Sequence, residues 1–247
     1  MKDKAVLILG ATSSLARAVA AQLAAAGASL YVAGRDAFEV ERIAADLSIR
    51  HRANVKWGVF EATEYGAHQE FFDQVVADLG SLDIVVSSLG ELGDPIRAQT
   101  DFAHARRVID SNYTGVVSIL THAANYLEQQ GRGLIVGISS VAGDRGRQSN
   151  YVYGSAKGAF SLFLQGLRNR LCKRGVRVVT VKPGFMDTKM TFGKPGLFLV
   201  ASPERAAAAV VAGMRGSADV LYVPWFWRWI MLIVRSIPEP IFKRMKM

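Results

Sequence analysis

Ser140, Tyr153 and Lys157 have side chains that could move a proton to or from a carbonyl oxygen. They lie between Gly133 and Phe160, where a strand-like apolar run, Leu134 to Ile138, passes through a polar glycine-containing loop into a helical pattern. Tyr153 and Lys157 are one helical turn apart, so the phenol and the ammonium project from the same face. A cation beside a phenol favours the phenolate, and should bring a pKa of about 10 toward the working range of an acid–base catalyst. Ser140, at the carboxyl end of the expected strand, is placed to hydrogen-bond the same oxygen. Tyr-x-x-x-Lys alone is equally an ordinary surface pair. The chemical reading rests on its company: the upstream serine, a glycine turn near the start of the chain and Pro183-Gly184 after a later strand.

Those groups need a scaffold, and the chain supplies one in order. Ala5 to Leu9 is a continuous apolar run, followed by Gly10-Ala11-Thr12-Ser13-Ser14-Leu15-Ala16 and an alanine-rich helical pattern ending at Gly27. Strand, tight turn and helix in that order point free amides at a phosphate. Gly10, Thr12, Ser13, Ser14 and Leu15 are therefore the expected cofactor contacts, although a plain turn would look the same. A second strand, Ser29 to Ala33, ends in Gly34-Arg35-Asp36. The guanidinium of Arg35 suits a ribose 2′-phosphate, which predicts NADP(H). If Asp36 holds the ribose instead, NAD(H) is the cofactor. Further strands are expected around Val55 to Phe60, Leu82 to Ser88, Val176 to Val181 and Val220 to Val223, with a long helix over Val108 to Leu127 and a helix start at Ser202-Pro203-Glu204. Lys189 to Val200 reads as a loop and a substrate lid. The pattern predicts one α/β domain over residues 1–223, with a parallel doubly wound sheet of about seven strands, and a separate C-terminal segment over 224–247.

Composition narrows the function classes. At 247 residues, half of them hydrophobic, the chain can bury a substantial core. A single cysteine, Cys172, allows no intrachain disulfide and suits a reducing compartment. His51, His68, His104 and His122 show no metal-ligand spacing, so no metal is expected. No apolar signal region follows Met1, and no run reaches the roughly 18 apolar residues of a membrane span. The net charge of +9 is dispersed without a nucleic-acid motif, which argues against nucleic acid as a partner.

The basic cluster that does stand out lies at the end of the chain. From Pro224 to Pro238, a helix would carry Arg228 and Arg235 on one side, with tryptophans and aliphatic residues around the rest. Lys243, Arg244 and Lys246 follow. Such a segment could lie in a bilayer interface on the inner face of the cell membrane, making a cytoplasmic protein peripheral. It could instead cover the pocket or a subunit interface.

Taken with the glycine turn, Ser140, Tyr-x-x-x-Lys and Pro183-Gly184, the chain resembles the short-chain dehydrogenase/reductase family along essentially its whole length. That resemblance implies a Rossmann-type fold, NAD(P) as cofactor, and hydride transfer between nicotinamide and a carbonyl carbon. It further implies that Asn112 is a fourth catalytic residue, holding a water beside Lys157, and that Lys157 also holds the ribose. Glu61 and Ala62 correspond to the adenine contact, Gly90 to a close cofactor approach, and Pro183, Gly184 and Thr188 to the nicotinamide end. The family turn usually has three glycines, and here only Gly10 remains; Ser87-Ser88 stands where Asn-Asn is common. Gly90-Glu91-Leu92-Gly93-Asp94, Gly143-Asp144-Arg145 and the Arg-Ser-Ile-Pro ending are similar to one branch, the decaprenylphosphoryl-2-keto-ribose reductases. That likeness implies a polyprenyl-phosphate 2-keto-pentose substrate in cell-envelope polysaccharide synthesis, Arg145 and Arg147 as possible ligands of its phosphate, a flavin-dependent oxidase as partner, and a homodimer or homotetramer. A reductase of another hydrophobic ketone (sphingoid, steroid or fatty acyl) and a non-catalytic membrane-associated binding protein of the same fold remain alternatives.

Overall fold

A computed structural model describes residues 1–187 and 199–245. In chain order its elements are β1 (Ala5–Leu9), α1 (Ser14–Ala25), β2 (Ser29–Gly34), α2 (Ala37–His51), β3 (Val55–Val59), α3 (His68–Leu79), β4 (Ile84–Ser87), α4 (Phe102–Ile109), α5 (Gly115–Gln130), β5 (Gly133–Ile138), α6 (Tyr151–Leu171), β6 (Val176–Pro183), α7 (Pro203–Arg215), β7 (Val220–Val223), α8 (Trp227–Ser236) and α9 (Glu239–Phe242). The seven strands form one parallel sheet in the order β3-β2-β1-β4-β5-β6-β7.

Alternation along the strands builds a core on each face of the sheet. Val6 and Ile8 of β1 pack with residues of α1, α2 and α7, whereas Leu7 and Leu9 pack with α3, α5 and α6. The connections reverse direction between β1 and β4, and this switch point opens a crevice beyond the carboxyl ends of those two strands. Gly10 and Ser88 follow them directly.

The helix expected over Val108 to Leu127 is longer and is interrupted. α4 passes through a single π turn, Asp110–Thr114, into α5. An extra residue in a helical turn changes the direction in which its side chains point, and such turns are frequent at functional sites. Asn112 sits within it and is fully buried. The C-terminal helix is shorter than expected, ten residues in α8, and no described helix is long and apolar enough to cross a membrane.

Candidate active site

The nucleotide end of the crevice is built from the first turn. Gly10 has φ of +73°, and a Cβ there would lie 2.6 Å from the Ser88 carbonyl oxygen, so the two loops approach each other without a side chain between them. Ser13 caps α1 by accepting from the Ala16 amide, and its hydroxyl pairs with that of Ser88 at 2.9 Å. Ser14 and Leu15 open the helix, and Thr12 borders Gly34. Arg35 is half exposed, facing Glu91 at 3.5 Å, while Glu91 also meets Arg107 at 3.2 Å. Asp36 accepts from the Glu39 amide as the N-cap of α2.

Glu61 follows β3 by two residues. Its carboxylate closes a local turn by accepting from the amide and hydroxyl of Thr63, because both donors lie two residues away. Ala62 is buried against Gly115. His68 anchors this corner from below, with its ring nitrogens against the Ser118 hydroxyl and the Glu61 carbonyl. Burial pushes its pKa down.

The four residues expected to do chemistry converge. Ser139, at the end of β5, donates to the Lys157 carbonyl on α6 at 2.9 Å, which fixes the Ser140 loop against the helix bearing Tyr153 and Lys157. Ser140 accepts from the Ala142 amide and makes a hydroxyl contact with Tyr153. Asn112 donates from Nδ2 to the Glu91 and Val108 carbonyls, at 2.7 and 2.8 Å. Its Oδ1 is buried without a partner. Gly90, at φ of +137°, has no room for a side chain: a Cβ would lie 2.1 Å from that Oδ1 and 2.9 Å from the Lys157 Nζ.

The electrostatics correct one expectation. Lys157 does not lower the Tyr153 pKa here. Its ammonium donates to the Leu89 and Ile138 carbonyls at 2.9 and 3.4 Å and stands 5.9 Å from the centre of the Tyr153 ring. Burial dominates both groups. It pushes the Tyr153 hydroxyl up to about 12, against a lowering by the Ser140 contact, and pushes Lys157 down to about 7.

Arg145 is also placed otherwise than its expected role at a phosphate requires. It faces α8 and α9, donating to three backbone carbonyls and to Glu239. The Arg147 Nε is buried with no hydrogen-bond partner among the described residues. Pro183 ends β6, and the Gly184 amide donates to Val223. Thr188, most of the expected lid over Lys189 to Val200, and Lys246 lie outside the described residues. Among the described residues no cluster could hold a metal ion.

A positive-φ cradle at Gly10, an unpartnered buried oxygen on Asn112 and a buried ammonium bonded only to backbone together fit a dinucleotide. Residues 4–194 match the family model described as short chain dehydrogenase. The chain belongs to the short-chain dehydrogenases. An uncharacterized oxidoreductase of Mycobacterium tuberculosis is 38% identical to this dehydrogenase over 240 residues, covering 97% of this chain and 96% of its relative. Another from Streptomyces coelicolor is 36% identical over 245 residues, covering 98% and 96%. Among solved structures, a short-chain type dehydrogenase/reductase from Mycobacterium ulcerans superposes with a TM-score of 0.81 at 24% identity, covering 99% of each chain. Actinorhodin polyketide ketoreductase with NADPH gives 0.81 at 21%, covering 90% and 97%, a likeness of fold. This short-chain dehydrogenase is thus an NAD(P)-dependent oxidoreductase acting on CH–OH and C=O groups.

Sequence reasoning missed three contributors: Ser88 as partner of Ser13, the buried group of Asp144, Lys182 and Tyr222, and Trp227 beneath Gly184. Lys182 gave a signal, as a cation at the end of a β-branched strand.

Proposed function

We propose that the chain reduces the ketone of a hydrophobic, lipid-linked substrate with NAD(P)H, and that the keto group belongs to a polyprenyl-phosphate-linked 2-keto-pentose used in cell-envelope polysaccharide synthesis. The observation that carries the reductase part is the contact of the Ser140 and Tyr153 hydroxyls above the buried Lys157 and Asn112. The nicotinamide, when bound, supplies the hydride. Ser140 orients the carbonyl oxygen and Tyr153 delivers its proton. Lys157 binds the ribose and, once charged there, favours the tyrosinate. The open Oδ1 of Asn112 holds a water that resupplies the proton path. Gly10, Thr12, Ser13, Ser14, Leu15, Gly90, Pro183 and Gly184 line the dinucleotide site, with Ala62 at its adenine end.

Two observations support NADP(H) over NAD(H). The Asp36 carboxylate is engaged as a helix cap, and Arg35 is half exposed with a long contact, 3.5 Å, to Glu91. A phosphate on the substrate suits Arg147, whose guanidinium is pushed down in pKa by burial and has no carboxylate beside it. A membrane location is supported by the outer face of α8, where Trp229, Leu232 and Ile233 are exposed beside Trp225 and flanked by Arg228 and Arg235. A flavin-dependent oxidase producing the ketone, and pairing of subunits, complete the proposal.

The test is turnover of NADPH and NADH with keto-sugar lipids, sphingoid, steroid and acyl ketones. Tyr153→Phe should lower kcat by about 10²- to 10⁴-fold with dinucleotide affinity kept. Near-normal turnover by that variant overturns the reductase assignment. Preference for a ketone without phosphate overturns the substrate assignment alone.

A further inference from the structure

The loop that follows Ser140 is held from two sides. Facing inward, Asp144 accepts from the Lys182 ammonium and, at 2.7 Å, from the Tyr222 hydroxyl, joining the loop to the ends of β6 and β7. Facing outward, the next residue, Arg145, reaches the end of the chain. Its Nη1 donates to the carbonyls of Val234, Arg235 and Ile237 at 2.8, 3.1 and 2.6 Å, its Nη2 to Glu239 at 2.9 Å, and its guanidinium stacks 3.8 Å from the centre of the Phe242 ring. Carbonyls in the last turn of a helix have no partner within it, so one guanidinium satisfies the end of α8. Releasing it would leave those acceptors and a largely buried cation unpaired at the same time.

The start of α8 meets the same site from another direction. Trp227 is buried in a small cluster with Val141, the residue after Ser140, and Met231. A Cβ on Gly184 would lie 2.0 Å from the Trp227 Nε1, so the indole fills the space a side chain would need at the Pro-Gly turn. The Phe185 ring stands edge-on to it, with centroids 5.3 Å apart at 89°. Both loops that border the reacting groups therefore rest on one short helix.

We propose that residues 227–242 are an integral wall of the active site, with Arg145 and Trp227 as positioning residues that hold the Ser140 loop and the Gly184 turn against each other. The proposal rests on the reductase reading for its kinetic consequence but not for the coupling itself, and it is independent of membrane binding.

Hydrogen exchange and kinetics test it together. In Arg145→Gln, amides of residues 141–147 should exchange faster, and kcat for trans-1-decalone with NADPH should fall roughly tenfold to a hundredfold, while NADPH affinity is kept. Arg145→Lys should recover part of kcat. Glu239→Gln with Phe242→Leu removes two of the Arg145 contacts and keeps the Val234, Arg235 and Ile237 carbonyls, so it should quicken the same amides by a smaller factor; added to Arg145→Gln it should change nothing further. Trp227→Leu should quicken exchange at residues 184–187 as well, and Trp227→Phe serves where that variant does not fold. Unchanged exchange at residues 141–147 in Arg145→Gln overturns the proposal, as does a further increase when Glu239→Gln and Phe242→Leu are added to it. If the wild type reduces no ketone, the reductase reading fails while the exchange arm still decides the coupling.

Discussion

The Lys157 ammonium donates to the Leu89 carbonyl oxygen at 2.9 Å, and in doing so faces into the crevice between β1 and β4 as a buried cation without a carboxylate. Its pKa is pushed down to about 7 from 10.5 by burial. A dinucleotide whose ribose hydroxyls accept from the ammonium stabilises the charged form and raises that pKa. In a window above about pH 7 the free protein has lost the proton and the complex, with its raised pKa, regains it, so binding takes up protons. Titration calorimetry of NADPH in buffers of different ionisation enthalpy should show uptake approaching one proton within this window and little at lower pH. Lys157→Met should abolish it. PH-independent binding by the wild type would contradict the buried cation.

Ser140 makes the contact that lowers the Tyr153 pKa against the upward push of burial. Ser140→Ala removes that contact, so the pKa rises further. Alcohol oxidation needs the tyrosinate, so the acid limb of its profile should move to higher pH, with kcat down about a hundredfold from loss of the oxygen-orienting donor. The pH profile of kcat measures both effects. A profile that moves to lower pH would mean that Ser140 does not act on Tyr153.

Arg35 and Asp36 divide the work at the end of β2, one exposed and the other capping α2. Arg35→Ala should raise the dissociation constant for NADPH roughly tenfold to a hundredfold and leave that for NADH little changed, because one charge-assisted pair to the 2′-phosphate is lost. Fluorescence titration with both dinucleotides reads this directly. Equal weakening of the two would assign the phosphate to another cation.

Asp144 and Lys182 are nearly buried as a pair, with 3% and 13% of their side chains exposed. Asp144→Asn removes the charge that pairs the ammonium and leaves one oxygen for two donors, Lys182 and the Tyr222 hydroxyl, whose pKa that carboxylate helps to raise. Urea denaturation should show a loss of about 3–5 kcal/mol, most of it recovered by adding Lys182→Met. A loss confined to a few tenths would mean that water reaches the pair.

The sheet was legible in the sequence because buried parallel strands read as short apolar runs, and the strands around Leu7, Val32, Val86, Val136 and Val179 carry little else. Tyr153 and Lys157 were legible because a helix fixes what a spacing of four residues means. The sign of their electrostatics was not. It depends on the Leu89 and Ile138 carbonyls, one in the loop after β4 and the other at the end of β5, and on burial, which overrides a nearby charge. The π turn at Asn112 was hidden because apolar residues continue at helical spacing on either side of it, although Asp110-Ser111-Asn112-Tyr113-Thr114 are all weak helix formers. Arg145 was misread for a related reason: its partners lie 89 to 94 residues away, and a spacing argument is blind to them.

The outer face of α8 leads to the last prediction. Trp227 and Met231 turn inward, whereas Trp225, Trp229 and Ile233, the first 71% exposed and the last 68%, turn outward among arginines. Indoles favour the polar boundary of a bilayer, and basic residues near an anionic surface add about 1 kcal/mol each. The protein should therefore sediment with vesicles rich in phosphatidylglycerol and much less with neutral ones. Trp229→Glu with Ile233→Glu should release it while leaving NADPH affinity intact, since neither side chain is part of the buried cluster beneath Gly184. Sedimentation by the double variant equal to that of the wild type would leave this face without the membrane as its partner.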